Sequence, residues 1–569
     1  MDIKTLYDAN INNITIAKNA FDTLYSAFGR HIESWQHEVA DRLTNSHWTG
    51  TAANHAQARI QLLGTELQSA HSELDFVSKA LAKAAEQFAL AQAHLVYALD
   101  DAKAAKLNVA PDGTITWDKE PTSANYAGAG AETTAIAISN RITAALNEAA
   151  HADQEISARL NHFATNAGDG TGLDAATVAK DQAAETARER IPPAGTDPAS
   201  VKKWWDGLTD TERQKFIQDD PAQVGNLDGV PAAARDQANR INLTRTQADL
   251  QKQLSDLDKS EPLSVTGTPY GATESPDHIV WKAERDALQG KLKGLQAIQD
   301  RLDKPVTDQD PRPYLLGLDA AAPGGRAILA LNDPDTADHV ATFVPGTESK
   351  LAGVGGTMDK AKEMYRSAID ASPGGKVSTI AYVNYTAPQS AKPSFPQPIP
   401  DAAYEGYAKD AEQNLYNFES GLRATHQGPP SHNTIIGHSY GSTVVGYAMR
   451  DKGLPVDTVV FAGSPGVGVD RAADLNTDLA KGTKMDPSHV YAVLGGDDSI
   501  TDWTPDPLSA DNYNPASDDY HLRFGRDPMN PAFGAQHLPS QNTDHDHYWN
   551  KGTPSWKAFG QVIAGRPVS

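Results

Sequence analysis

The feature that most constrains the fold is the sequence Gly-His-Ser-Tyr-Gly at 437–441, which follows a short apolar run and precedes a helix-compatible segment. A strand, a sharp turn and a helix form the setting that holds a nucleophilic serine at strained backbone angles above a sheet. The positions two before and two after the serine are crowded in such a turn, and both are glycine here. The pattern predicts a nucleophile elbow at Ser439.

From Tyr314 onward, short apolar runs separated by Gly, Pro and Asp alternate with helical segments. This alternation is typical of a mostly parallel sheet with helices on both faces. Strands are predicted at 314–318, 326–331, 339–344, 377–383, 434–436, 458–462 and 490–494. Helices are predicted at 356–370, 402–424, 442–452 and 470–481.

The earlier part of the chain has a helical apolar period. One helix is predicted to end near Leu43 and another to run from about Ala52 to Leu107, so the turn Trp48-Thr49-Gly50 joins them into an antiparallel hairpin. We therefore predict a multidomain chain, all-α at its N-terminus and α/β at its C-terminus. Its segments are a helical hairpin region at 1–165, a linker at 166–200, a helical connecting region at 201–305 with a surface loop at 259–276, and the α/β domain at 306–569.

A nucleophilic serine needs a base to remove its proton and a carboxylate to orient that base. On this type of elbow the acid follows the serine in the chain and the histidine comes last. Asp498 lies just past the predicted strand 490–494, at the carboxyl edge of the sheet, and Asp497 is the reserve. The predicted base is His545, with His547 as the alternative.

The cluster Asp-His-Asp-His at 544–547 has a second interpretation, because a His-x-His pair flanked by aspartates can ligate zinc. No matching third ligand motif is found elsewhere in the sequence, so we predict neither a metal nor a cofactor. His521 and His537 are weaker candidates for the base. His438, beside the serine, is predicted to point away from it along the strand and to pack.

Two backbone amides are predicted to stabilise a developing oxyanion. One is the amide of Tyr440, at the start of the helix after the serine. The other is the amide of Thr347, in the loop after the third strand, where Gly346 gives the backbone room to approach. Each such donor typically lowers the barrier by about 3 kcal/mol.

Composition narrows the classes of partner and site. The formal charge of −23 argues against non-specific binding of nucleic acid or anionic membranes. The absence of cysteine removes disulfides, thiolate metal sites and cysteine nucleophiles. No apolar run is long enough for a membrane span, and the N-terminus shows no pattern of a conventional cleaved signal peptide.

Residues from about 311 to 565 resemble an actinobacterial α/β-hydrolase family that was long catalogued as a domain of unknown function. The resemblance implies an α/β-hydrolase domain with a Ser439–Asp498–His545 triad, the last by its match to a His-x-x-Tyr-aromatic stretch. The matching stretches begin at Tyr314 (YLLGLD), Asp333 (DPDTADHV), Val344 (VPGT), Gly437 (GHSYGS), Ala462 (AGSPGVGV) and Asp527 (DPMNPAFG).

The N-terminal hairpin resembles the Trp-x-Gly helical-hairpin proteins of type VII secretion. Trp48-Thr49-Gly50 lies between its two helices, and the stretch from Tyr97 to Asp101 matches the Tyr-x-x-x-Asp export pattern near the end of the second helix. The resemblance implies export through a type VII pathway, or docking of a secretion-system or helical-hairpin partner. The structural alternative is a helical cap or a dimerisation arm.

These observations predict a serine hydrolase that cleaves an ester, of a lipid-like or cell-envelope component, through an acyl-enzyme. One alternative is a type VII effector whose hydrolase is a toxin-like, lipase-like payload. Another is a non-enzymatic interaction protein on a hydrolase scaffold. The predicted location is secreted or in the cell envelope, with the cytoplasm as the alternative.

Overall fold

The computed structural model describes residues 2–111, 113–118, 123, 127, 131–188, 191–268, 271–391, 400–504, 517 and 521–568. The chain divides into two compact units, Met1–Ile191 and Pro192–Ser569. Within these described ranges, no helix combines the length and the apolar character that crossing a membrane requires.

In its described residues, the N-terminal unit is helical apart from one small hairpin of strands. Its elements are α1 (Ile3–Tyr7), α2 (Ile11–Trp35), α3 (Asp41–Asn45), α4 (Thr51–Ala104), β1 (Leu107–Val109), β2 (Ile115–Trp117), α5 (Ala131–Asp169) and α6 (Ala175–Arg188). The Ser78 hydroxyl donates to Asp22 and the ring of His71 lies 3.0 Å from the carbonyl of Tyr25. These contacts show that α2 and α4 run antiparallel, which agrees with the predicted hairpin.

Small side chains form much of the interface between α4 and α5. Ala91, Ala98 and Ala102 of α4 are buried against Ala145 and Ala149 of α5. Alanine lets two helix backbones approach closely while still burying apolar surface. The helix α6 lies inside the segment predicted as a linker, so that segment is helical over 175–188.

The second unit opens with helices and a strand hairpin and continues into a large sheet. The opening elements are α7 (Pro198–Asp206), α8 (Asp210–Asp219), α9 (Pro221–Gly225), α10 (Ala232–Asp258), β3 (Val265–Thr268), β4 (Gly271–Glu274) and α11 (Pro276–Leu302). The sheet strands are β5 (Pro313–Asp319), β6 (Arg326–Leu331), β7 (His339–Val344), β8 (Val377–Val383), β9 (His432–His438) and β10 (Thr458–Ala462). The covering helices are α12 (Val354–Ala371), α13 (Gly406–Thr425) and α14 (Tyr440–Asp451).

The remaining elements are short, apart from the last helix. They are β11 (Asn476–Asp478), β12 (Thr483–Lys484), β13 (Val490–Val493), α15 (Ile500–Trp503), β14 (His521–Leu522), β15 (Gly525–Arg526), β16 (Gln536–His537) and α16 (Pro554–Ile563). The eight-stranded sheet has the order β16-β13-β10-β9-β7-β8-β6-β5. The first six strands of this order are parallel to one another, and β6 is antiparallel to both of its neighbours. The predicted α/β-hydrolase architecture is confirmed.

Two further local predictions are wrong. The helix predicted at 470–481 is a 3-10 turn at Ala472–Asp474 followed by β11, because Asn476 binds the end of α14 through its side chain, 2.8 Å from the carbonyl of Arg450. The loop predicted at 259–276 contains the β3–β4 hairpin. In the first case a tertiary contact overrides a helical composition.

Side chains, instead of another strand, form hydrogen bonds with the backbone groups at the free edge of β5. The amide of Leu315 donates to Asp236 at 2.9 Å, and its carbonyl accepts from Asn239 at 3.0 Å. The Asn226 side chain donates to the carbonyl of Leu318 at 2.9 Å and accepts from its amide at 2.8 Å. Since an exposed edge invites pairing with other chains, these residues protect the sheet.

The connecting region also supplies part of the core beneath β5. Leu243 and Leu250 of α10 and Leu295 and Ile298 of α11 are buried in one cluster with the strand residues. Burying each such side chain contributes about 1.5–3 kcal/mol. The sum is comparable with the typical net stability of a domain, about 5–15 kcal/mol. The region predicted separately at 201–305 is therefore built into the sheet domain.

This arrangement predicts different behaviour for two truncated chains. A chain that starts at residue 192 is expected to fold, whereas one that starts at residue 306 is expected to aggregate, because it exposes the β5 edge and the apolar cluster. Soluble yield and circular dichroism melting compare the two. A cooperative melt of the shorter chain at the temperature of the longer one would contradict the prediction.

Candidate active site

Ser439 lies at the junction of β9 and α14, in the middle of the sheet. Its backbone angles are φ 53° and ψ −130°, a strained conformation for a residue with a Cβ that costs on the order of 1–3 kcal/mol. The Ser439 amide donates to the carbonyl of Ala462 at 2.9 Å, and its carbonyl accepts from the amide of Ser442 at 3.0 Å. The surrounding hydrogen bonds therefore hold the strained turn.

The glycines on either side of the serine are required by close backbone contacts. A Cβ at Gly437 would lie 2.5 Å from the Cα of Ser442. A Cβ at Gly441 would lie 2.2 Å from the carbonyl oxygen of Val344. Neither distance leaves room for a methyl group, which agrees with the crowding expected from the sequence.

The loop after β7 touches the serine. A Cβ at Gly346 would lie 2.6 Å from the Cβ of Ser439 and 3.0 Å from its Oγ. The buried hydroxyl of Tyr385 fixes this loop by donating to the carbonyl of Pro345 at 2.6 Å. Within the described part of the chain, the amides of Thr347 and Tyr440 have no hydrogen-bond acceptor. Two unsatisfied donors thus belong to segments that meet at the serine.

Asp498 and His545 form a hydrogen-bonded pair. The Nδ1 of His545 lies 2.8 Å from Oδ2 of Asp498, and the amide of Ile500 donates to Oδ1 at 2.9 Å. Burial raises the pKa of the Asp498 carboxyl, but the hydrogen bond and charge of His545 outweigh it, with help from the hydroxyl of Tyr548. The net effect is a pKa below the ordinary value, so the carboxylate stays ionised.

Gly463 connects this pair with the serine. It follows Ala462, whose carbonyl binds the Ser439 amide, and it has a φ of 53°. A Cβ at Gly463 would lie 2.7 Å from Oδ2 of Asp498 and 3.0 Å from Nδ1 and Cε1 of His545. Among the described contacts there is no hydrogen bond between the Ser439 hydroxyl and His545.

The reserve candidates have other environments. The side chain of His547 is about half exposed and pairs with Asp544 at 2.5 Å. Asp497 is exposed, whereas the Asp498 side chain is 1% exposed. His521 lies 3.3 Å from Asp470, and His537 is exposed in β16. The geometry therefore brings together Asp498 and His545 and leaves the alternatives on the surface or in other contacts.

His438 has a role that the sequence did not reveal. It is buried, as the packing prediction requires, but its Nε2 also donates to the backbone carbonyl of His545 at 2.7 Å. Burial, followed by the charges of His545 and Lys360, holds the pKa of His438 well below its ordinary value. A neutral ring that donates from Nε2 therefore links β9 to the loop that contains His545.

The comparisons with known proteins agree with this architecture. Residues 320–508 match a family model described as alpha/beta hydrolase. The second unit contains an α/β-hydrolase domain. The match includes Ser439 and Asp498 and ends before His545.

Relatives with longer similarity have no stated activity. An uncharacterized protein of Mycobacterium tuberculosis is 30% identical over 424 residues, which is 70% of this chain and 60% of the relative. The chain thus spans 60% of the length of that relative. An uncharacterized protein of Mycobacterium bovis is 29% identical over 236 residues, covering 40% of this chain and 79% of the relative.

Among solved structures, the esterase LipW from Mycobacterium marinum overlaps 51% of this chain and 90% of its own, with 11% identity and a TM-score of 0.28. The identity and the TM-score are too low to support a shared activity.

The close approach at Gly463 predicts an unequal cost of two glycine replacements. Gly463→Ala and Gly482→Ala both place a Cβ at positive φ, which costs about 1 kcal/mol. Only Gly463→Ala also displaces Asp498 and His545, because a Cβ at Gly482 would have no atom within 4 Å. Denaturant unfolding is expected to show an additional loss of about 1–3 kcal/mol for Gly463→Ala. Equal losses would contradict the contact.

Proposed function

We propose that this protein is a serine hydrolase that cleaves an ester-type bond through an acyl-enzyme. The observation that carries the proposal is the Asp498–His545 hydrogen bond. This pair packs against Gly463, and the preceding residue, Ala462, accepts the hydrogen bond of the Ser439 amide. The matched α/β-hydrolase family supports it. A strained serine beside a carboxylate-oriented imidazole is the arrangement that makes a weak nucleophile reactive.

In the proposed mechanism, Nε2 of His545 removes the proton from the Ser439 hydroxyl as Oγ attacks the ester carbonyl. Asp498 accepts the Nδ1 proton of the same ring and stabilises the imidazolium. The amides of Tyr440 and Thr347 bind the oxyanion, each lowering the barrier by about 3 kcal/mol. The imidazolium protonates the leaving alcohol, and water activated by His545 then hydrolyses the acyl-enzyme.

The proposed substrate is an ester of a lipid-like or cell-envelope component. The net charge of −23 disfavours long anionic polymers such as nucleic acid as substrates. Nitrophenyl esters of graded acyl length, followed by envelope lipids, would define the acyl chain that the site accepts.

The nucleophile is tested by covalent labelling. We expect a fluorophosphonate probe to label the intact protein and to leave Ser439→Ala unlabelled, because the probe forms a bond to an activated serine Oγ. Ser488→Ala, at an exposed serine, is the matched control and keeps full labelling. Mass spectrometry of the labelled peptide checks the position.

An unlabelled wild-type protein would overturn the enzymatic proposal. It would favour the alternative of an interaction protein on a hydrolase scaffold. Labelling that persists in Ser439→Ala would instead show that another residue is the nucleophile.

For the helical unit we propose type VII export or docking of a secretion-system or helical-hairpin partner, which would place the protein outside the cytoplasm. The supporting observations are the antiparallel α2–α4 hairpin and the exposure of two motif residues. Trp48 is 49% exposed and Tyr97 is 63% exposed, so neither is used to fill the core. If the exported protein acts on a target cell, the hydrolase is the payload of an effector.

Export is tested by substituting these two residues in the producing organism. Trp48→Ala and Tyr97→Ala are expected to abolish secretion while leaving melting temperatures unchanged, because both side chains are largely exposed. Tyr7→Ala is the control, since Tyr7 is 53% exposed in the same unit and lies outside both motifs. Unchanged export of both variants would favour a structural cap, and retention of the unmodified protein inside the cell would favour a cytoplasmic enzyme.

A further inference from the structure

Two loops meet at the acid–base pair. The acid loop is residues 495–499, and the base loop is residues 541–549. The amide of Gly496 donates to the carbonyl of Gln541 at 3.0 Å, and the amide of Asp497 donates to that of Thr543 at 3.3 Å. A Cβ at Gly495 would lie 2.0 Å from the carbonyl oxygen of Thr543. The two backbones therefore pack directly against each other.

Tyr548 is the base-loop residue whose hydroxyl reaches into the acid loop. The hydroxyl donates to Oδ2 of Asp498 and accepts from the amide of Gly495 at 3.0 Å. Its ring is fully buried in the apolar cluster on one face of the sheet, together with Trp549. Burial raises the pKa of the Tyr548 phenol far above its ordinary value, so the hydroxyl keeps its proton.

Oδ2 of Asp498 thus accepts two hydrogen bonds, one from Tyr548 and one from His545. We propose that Tyr548 is a positioning residue that fixes the Asp498 carboxylate and sets how strongly this oxygen accepts the Nδ1 proton of His545. The inference rests on the proposed role of the Asp498–His545 pair. A hydroxyl that shares an acceptor withdraws negative charge from it, so the second donor is held less strongly.

The titratable and charged groups that face this contact come from three elements. They are His545 and Asp544 on the base loop, which act on Asp498 or Tyr548, and His438 at the end of β9, which interacts with Asp498, with His545 and with Lys360 of α12. Removing the Tyr548 hydroxyl changes the side chain of none of these groups. A change at His545 that follows this removal is therefore attributable to the hydroxyl.

The test is Tyr548→Phe, read from the nitrogen resonances of the histidine rings in the full chain labelled with ¹⁵N-histidine. The signal of His545 is assigned with His545→Gln. We expect the Nδ1 resonance of His545 to move downfield in Tyr548→Phe, because its hydrogen bond to Asp498 strengthens once the competing donor is gone. The matched control is Tyr365→Phe, which removes a hydroxyl from the same cluster but one bonded to the carbonyl of Asp308.

A second measurement covers the case in which Tyr548→Phe does not fold. Replacing all tyrosines by 3-fluorotyrosine makes the phenol a stronger donor and is expected to move the same resonance upfield. An unchanged resonance in either protein, or an equal shift in Tyr365→Phe, overturns the proposal.

Reactivity gives an independent outcome. The rate of fluorophosphonate labelling is expected to fall about tenfold in Tyr548→Phe, because the Asp498 carboxylate loses the hydrogen bond that fixes its position, and this loss outweighs the stronger hydrogen bond to His545. The labelling rate is also expected to fall off at a higher pH on the acid side of its pH profile. Removing the Tyr548 hydroxyl raises the pKa of Asp498, so this carboxylate is protonated at a higher pH. The resonance shift does not require catalysis. A resonance shift in Tyr548→Phe together with a wild-type protein that is not labelled would therefore contradict the proposed hydrolase while supporting the role of Tyr548.

Discussion

Close packing around glycines at the carboxyl ends of β7, β9 and β10 is the constraint on which the candidate site depends. At or just after the end of each strand, a glycine packs against another segment of the protein with no room for a Cβ. These glycines are Gly346, Gly437 and Gly463. This packing brings the β7 loop, the strained serine and the acid–base pair into one place. The atoms nearest to a Cβ at Gly437 are backbone atoms, whereas those nearest to a Cβ at Gly463 belong to the side chains of Asp498 and His545. An added methyl group would therefore disturb the serine turn in the first case and the Asp498–His545 pair in the second.

Much of this architecture could be predicted from local patterns. The strands alternate with helices at a clear period, and the elbow at Ser439 combines an apolar strand, two glycines and a helix start. The choice of Asp498 over Asp497, and of His545 over His547, could not be decided in the same way. Neighbouring residues in a loop have the same composition around them. Only the packing of the acid loop against the base loop buries Asp498 and brings the partly exposed ring of His545 within hydrogen-bond distance of it.

Long-range contacts also explain the other features of the structure that were not predicted from the sequence. Asn226, Asp236 and Asn239 are ordinary polar residues of helical segments, yet they satisfy the backbone of β5. No local period indicates that these side chains replace a neighbouring strand. The hydrogen bond from His438 to the His545 carbonyl has the same character, since it joins residues 107 positions apart in the chain.

The base loop shows why such contacts matter for the site. Residues 541–549 contain no helix or strand, so no regular backbone ladder fixes the position of His545. The loop is held from two sides, by His438 at the end of β9 and by Tyr548 against the acid loop. In the proposed mechanism the His545 ring interacts with both Asp498 and Ser439, and both restraints help to position it, because catalysis falls steeply when a reacting group is misplaced by about 1 Å. The buried residues His438 and Tyr548 therefore position His545, as the strand–turn–helix junction positions Ser439.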